Sequence, residues 1–258
     1  MPPGTARPRL RRMRILLLNG NTDAAMTARM AALATDALPR LGLGHVTLAT
    51  ATARFGARYI ASRTAAAIAA HAVLELVAEA AGQVDAIAIA CFGDPGLDAA
   101  RELSGLPVAG MADASLRLAL GAHRRVALLT GGTAWVPMLQ EFSLSRGWPA
   151  ERVLVRAVAP TGDMIAREPE RALSLLAEAA TAALAEGAEA VVLGGAGLAG
   201  LAPRLAPLVG APVLDSLDCL LSCAAGAIPT PPGPAPDLLG KTPAIGLSEA
   251  LKARLAPA

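Results

Sequence analysis

Val84-Asp85-Ala86-Ile87-Ala88-Ile89-Ala90-Cys91-Phe92-Gly93-Asp94-Pro95-Gly96 reads as a β-strand that ends at a thiol and breaks into a turn carrying Gly and Pro. Apolar runs this short, bounded by turn residues, suit strands covered on both faces, as in parallel sheets. The stretch recurs. Asp85-Ala86-Ile87-Ala88-Ile89-Ala90-Cys91-Phe92-Gly93 aligns with Glu189-Ala190-Val191-Val192-Leu193-Gly194-Gly195-Ala196-Gly197 at a constant spacing of 104, so Gly195 stands opposite Cys91. Ile15-Leu16-Leu17-Leu18-Asn19-Gly20-Asn21-Thr22 likewise aligns with Val126-Ala127-Leu128-Leu129-Thr130-Gly131-Gly132-Thr133 at 111, and Pro107-Val108 with Pro212-Val213 at 105. The chain is therefore two similar halves of roughly 110 residues, each the size of a small domain.

Working outward, apolar runs at 14–18, 45–50, 84–90, 108–109, 125–129, 153–157, 190–193 and 213–214 predict strands. Ala-rich segments at 23–38, 61–81, 95–103, 113–120, 134–145, 169–186, 198–208 and 216–225 predict helices. This alternation is the signature of βαβ units. It predicts an α/β protein of two pseudo-symmetric Rossmann-like lobes with parallel sheets, residues 14–120 and 121–228, exchanging elements to form one unit. Such sheets bind ligands beyond the carboxyl ends of their strands. Two facing halves would then enclose one site from the turns at Asn19, Cys91, Thr130 and Gly195.

Residues 1–13 carry Arg7, Arg9, Arg11 and Arg12 with three prolines and read as a disordered leader. No apolar core of a secretory signal follows them. After Ile228 comes Pro229-Thr230-Pro231-Pro232-Gly233-Pro234-Ala235-Pro236, a semi-extended linker opening the tail at 229–258. Its 247–255 stretch predicts a short helix docking on the body or on a partner subunit, and a homo-oligomer is expected.

Charge is close to balance, 23 Lys and Arg against 21 Asp and Glu for a net +2, which argues against a nucleic-acid partner. The longest apolar stretch, 190–203, is broken by glycines and too short to cross a bilayer, so no membrane partner is expected either. The three cysteines lack a metal-binding spacing, and Cys219 and Cys223, four residues apart, have no histidines beside them. They read as free thiols of a reducing cytoplasm, and no metal site is expected.

Cys91 has two readings. To act as a base or nucleophile it needs a lowered pKa, since a thiol at about 8.5 is only a few per cent thiolate at neutral pH. Asp94 as helix N-cap and Pro95 as first helical residue would supply this, placing free N–H groups and the positive helix end near the sulfur. The alternative is a buried cysteine serving as a small hydrophobe.

Gly195-Ala196-Gly197-Leu198-Ala199-Gly200 spells the G-x-G-x-x-G of dinucleotide sites, and Asp215 ends a later strand. That fingerprint normally opens the first βα unit, whereas this copy follows the penultimate strand. A cradle of backbone N–H groups for an anion or oxyanion is the better reading. Arg58, Tyr59 and Arg63 form a polar cluster that either closes over the site or is a solvated helix start. His45, His71 and His123 are scattered, and Ser104 and Ser115 lie in no nucleophile elbow, so structural roles are expected.

Taken together, Asn19-Gly20-Asn21-Thr22, Ala90-Cys91-Phe92-Gly93-Asp94-Pro95-Gly96-Leu97, Pro107-Val108-Ala109-Gly110-Met111-Ala112-Asp113-Ala114 and Leu193-Gly194-Gly195-Ala196-Gly197 resemble the hydantoin racemase branch of the aspartate/glutamate racemase superfamily. The similarity runs in order from about Arg14 to Ile228. It implies cofactor-independent proton transfer, at a carbon beside a carbonyl, by two facing cysteines. The substrate implied is a hydantoin, an amino-acid derivative or a malonate-like acid. Cys91 fills the first catalytic position; the second, Leu-Gly-Cys-Ala-Gly in the family, is Gly195 here. Gly20 replaces the usual proline and Asp113 the usual glutamate. The resemblance further implies a pocket lined by Asn19, Phe92, Gly93, Thr130, Gly195 and Ala196, to which Asn21, Tyr59, Gly131 and Gly197 are added from the same turns. A missing acid or base is worth roughly 10²–10⁴-fold in rate. Cys219 or Cys223 could replace it only if the last helix of the second half aimed one into the cleft. A single thiol also resembles arylmalonate decarboxylase, in which one cysteine protonates an enolate left by loss of carbon dioxide. A binding protein without catalysis is the third alternative.

Overall fold

The computed structural model describes residues 12–158, 168–226 and 244–255. The first half runs β1 Met13–Asn19, α1 Ala24–Arg40, β2 Val46–Thr52, α2 Arg63–Ala80, β3 Ala86–Ile89, α3 Leu97–Ser104, β4 Val108–Gly110 and α4 Met111–Ala122. The second repeats it with β5 Val126–Gly131, α5 Trp135–Ser145, β6 Val153–Val158, α6 Pro169–Ala185, β7 Ala190–Gly194, α7 Ala202–Val209, β8 Val213–Asp215 and α8 Ser216–Ala224. A last helix, α9, spans Glu249–Leu255. The leader, apart from its last two residues, and the Pro-rich stretch lie outside the described residues.

Each half forms a four-stranded parallel sheet, ordered β2-β1-β3-β4 and β6-β5-β7-β8. The pairing registers reproduce the sequence spacings. Ile15 pairs with Ala86 as Val126 pairs with Ala190, and Ile87 with Val108 as Val191 with Val213. Even the strand entries match: Asp85 N–H donates to Arg14 O at 2.8 Å, and Glu189 N–H to Arg125 O at 2.8 Å.

The central strands are continuously apolar because helices cover both faces. Ile15, Leu17, Leu18, Ile87, Ile89, Leu128 and Leu129 are among the most deeply buried large side chains. Each contributes about 1.5–3 kcal/mol through burial. Alternate residues of β5 serve different cores. Val126 and Leu128 belong to the core shared with the first half, while Ala127 and Leu129 pack under α6 and α7 in a separate cluster. That division follows from the period of two along a strand.

The halves exchange helices. α4, from the first half, packs against β7 and β8, and α8, from the second, packs on α4, α1, β3 and β4. Arg40 of α1 forms a two-pronged ion pair with Asp218 of α8, both bonds 2.6 Å. The C-terminal helix docks on the body: α9 packs against α2, Leu251 is buried, and Ser248 N–H donates to Glu75.

Several helix starts differ from expectation. α3 begins at Leu97 rather than Pro95, its N-cap being Gly96 with φ 74°. Asp94 does not cap it, because its carboxylate turns away to α4, which begins two residues early at Met111. In the second half the residues after β7 form turns, and α7 starts only at Ala202.

Candidate functional site

Cys91 lies two residues past the end of β3 and is 8% exposed. Ala90 N–H donates to Leu18 O, tying the strand end to β1, and Asp94 N–H donates back to Cys91 O at 3.1 Å, closing the turn. The two residues after the thiol touch the second half. A Cβ on Gly194 would stand 2.6 Å from Phe92 Cε1, and one on Gly93 would stand 2.6 Å from Trp135 Cζ3. The Cys91 turn is thus clasped by the ends of β7 and α5.

Thr130, 3% exposed, pairs with Gly194 across β5 and β7, so Gly131 and Gly195 emerge side by side. Tyr59, 64% exposed, reaches over from the first half to donate to Gly131 O at 3.3 Å. Arg63 forms an ion pair with Glu141 of α5, and Arg58 pairs with Asp23. The polar cluster therefore bridges the two halves instead of merely solvating a helix start.

Asn19 is 3% exposed at the end of β1, and a Cβ on its neighbour Gly20 would lie 3.5 Å from Pro95 of the Cys91 turn. Its amide donates to Asn21 Oδ1, Asp23 O and Thr27 Oγ1, and its Oδ1 accepts Asn21 N–H. Asn21 Oδ1 also accepts Asp23 N–H. The pair shapes the β1–α1 turn.

Gly195 has φ 126°, and a Cβ there would have no neighbour within 4 Å. Leu198 N–H donates to Gly195 O at 2.9 Å. The carbonyls of Ala196, Gly197 and Ala199 face the guanidinium of Arg29 on α1 at 3.3–3.4 Å. Asp215 accepts Gly200 N–H and Leu217 N–H, an internal role unlike the ribose contact of a dinucleotide site.

The thiol environment corrects one expectation. Burial pushes the Cys91 pKa up to about 12, with the negative charge of Asp94 adding to the rise. The helix end that was to lower it begins at Leu97, well past the turn. Burial also raises Asp94 to about 7. Cys219 and Cys223 lie in the second half of the chain, on the helix after β8. Both are buried in α8, which packs on α4, with Cys219 bonded to Ser115, and burial raises their pKa to about 12 and about 11. Nearby, Asp113 is fully buried between Arg101 and Arg117, whose charges outweigh its desolvation and lower its pKa. His71 packs edge-on to Phe55 and pairs with Glu75.

Trp135, Gly194 and Arg29 were not singled out from the sequence. A signal existed for the first: the chain has only three Phe, two Trp and one Tyr, and three of those six rings stand at this junction. Among the described residues, no helix is long and apolar enough to cross a membrane.

The family described as Asp/Glu/Hydantoin racemase matches residues 15–224. A hydantoin racemase of Rhizobium meliloti is 36% identical over 217 residues, covering 82% of this chain and 87% of that protein. One from Paenarthrobacter aurescens is 34% identical over 210 residues, covering 80% and 87%. Among solved structures, allantoin racemase from Klebsiella pneumoniae superposes with a TM-score of 0.77 at 28% identity, covering 95% of this chain and all of that one. An arylmalonate decarboxylase variant shares the fold, with a TM-score of 0.59 at 20% identity over 85% of this chain and 97% of that one.

Proposed function

Because the chain belongs to the Asp/Glu/hydantoin racemase family, we propose that it moves a proton at the carbon beside a carbonyl of a cyclic amide, a hydantoin or a ureido-substituted relative, with Cys91 as acid and base on one face. The observation that carries this is the seating of Cys91: a strand-end thiol in a turn whose Phe92 packs on Gly194, the residue before Gly195, and whose Gly93 packs on Trp135. The relatives' names supply the substrate class.

In the forward step the thiolate of Cys91 takes the α-proton, and the C–H electron pair passes to the carbonyl oxygen as an enolate. Backbone N–H groups of the Cys91 and Gly195 turns hold that oxygen, with Thr130 beside them. Tyr59, held on Gly131 O, closes the rim, and Asn19 and Asn21 shape the neighbouring turn after β1. Proton return from the thiol regenerates the starting enantiomer. Inversion needs a donor on the other face, and the open space at Gly195 suits a water molecule, which gives its proton to carbon and leaves hydroxide to recover the thiol proton.

A second reading has support from the raised thiol pKa. A thiol that stays protonated is suited to deliver a proton to an enolate formed by loss of carbon dioxide from a malonate-like acid. Incubation with enantiopure 5-substituted hydantoins, allantoin and arylmalonates in D₂O separates the two. Exchange of the α-proton that requires Cys91 supports the first reading; carbon dioxide release without exchange supports the second. Neither activity on any of these substrates would overturn both.

A further inference from the structure

The Cys91 turn is held by a feature that the proton-transfer scheme does not use. Asp94 is, among the described residues, the one non-glycine with positive φ, at 48°. Side chains rarely adopt that region unless the surroundings enforce it. The enforcement is visible: the carboxylate is 4% exposed and accepts Ala112 N–H at 2.8 Å on one oxygen and Asp113 N–H at 2.7 Å on the other. These are free donors of the first turn of α4, so Asp94 caps a helix eighteen residues further along the chain. The fit is close, since a Cβ on Gly110 would lie 2.3 Å from Asp94 Oδ2. Asp94 N–H meanwhile holds Cys91 O.

We propose that Asp94 is a positioning residue for Cys91: its buried carboxylate ties the thiol-bearing turn to the amino end of α4 and sets the charge beside the sulfur. The proposal rests on the reading of Cys91 as the acid/base group. Four ionisable groups face the carboxylate. Cys91 in its own turn and Cys223 on α8 are thiols whose ionisation it opposes, Asp113 on α4 repels it, and Arg146 at the end of α5 attracts it. Burial first, and the Asp94 carboxylate once it is ionised, keep the sulfur protonated between turnovers, so the thiolate exists only when substrate takes part. Such a thiol is ready to deliver a proton and is protected from alkylation or oxidation, which need the thiolate.

The test is Asp94→Asn, since asparagine tolerates this φ and keeps the shape while removing the charge. The thiolate fraction of Cys91 is followed from about pH 8 to about pH 12 as the ultraviolet absorbance lost on further mutation to Cys91→Ser, which is independent of access to the sulfur. Removing a like charge should raise that fraction about tenfold, and the pH profile of turnover should move down with it. A folded Asp94→Asn with unchanged thiolate fraction overturns the proposal. Asp94→Ser, smaller and also neutral, provides the second variant, and loss of the fold in both overturns it too, because the carboxylate would then hold the fold and not the thiol. A thiolate fraction that rises while the turnover profile stays in place supports the role of Asp94 and sinks instead the reading of Cys91 as acid/base group.

Discussion

Phe92 occupies the space that a side chain on Gly194 would need, its Cε1 2.6 Å from where that Cβ would stand. One residue is the immediate successor of the candidate thiol and the other the immediate predecessor of the vacant position, so this contact sets how the two turns face each other. Gly194→Ala should push the ring aside. Overpacking of this kind costs about 1–3 kcal/mol, read as a lowered denaturation midpoint, and Gly194→Ala combined with Phe92→Leu should recover part of the loss. A stability unchanged by Gly194→Ala alone would show that the ring is free to move.

Cys91→Ala and Cys91→Ser should each lower α-proton exchange by about 10²–10⁴-fold, the worth of a placed acid or base. The circular dichroism spectrum should not change, since the thiol is replaced by groups of smaller or equal size. Exchange at the native rate in either variant would assign the proton to another group.

Gly195→Cys should add a second thiol on the opposite face and raise racemisation at least tenfold on any substrate the native protein deprotonates. Space is available, with nothing within 4 Å of the new Cβ. The backbone opposes it: at φ 126° an L-residue is strained by about 1–3 kcal/mol. Gly195→Ala measures that strain separately. A Gly195→Cys protein as stable as Gly195→Ala, yet with no gain by polarimetry, would remove Gly195 from the second-base position.

The stability contributed by Asp94 and Asp215 should fall as pH rises from about 4 to about 7. Asp94 has its folded pKa raised from 3.8 to about 7, and Asp215 is raised as well, both by burial. In that window the folded state binds more protons than the unfolded one, so stability is greatest below the unfolded value and is lost as each acid ionises inside the protein. For Asp94 the loss amounts to about 4 kcal/mol at most. Urea denaturation at pH 5 and pH 8 should show it, and Asp94→Asn should shrink the difference. An equal or larger difference in that variant would locate the effect elsewhere.

How far the sequence goes can be judged residue by residue. The spacings of 104, 105 and 111 already contained the registers Ile15 with Ala86 and Val126 with Ala190, because duplicated apolar strands pair the same way in each half. Cys91 and Gly195 were legible as counterparts for the same reason. The Asp94 cap was not. Asp-Pro after a strand has the local signature of a helix start, but the carboxylate found donors at α4 that are distant in sequence, and the left-handed backbone carried the turn past them. The direction of the thiol pKa was missed with it, since desolvation depends on what packs around the sulfur and not on its chain neighbours.

What the sequence determined by itself is therefore whatever repeats with a short period or a fixed offset: strand and helix order, parallel sheets, two matching halves, and a thiol at one strand end with glycine at the other. Only the tertiary structure decided the pairings between the halves: Phe92 on Gly194, Tyr59 on Gly131, Arg29 on the Gly195 loop, and the exchange of α4 and α8. The physical reason is one of range. Periodicity and turn chemistry act within a few residues and are written in the local text, whereas ring seats, long-range caps and burial arise from chain segments brought together only when both sheets are in place.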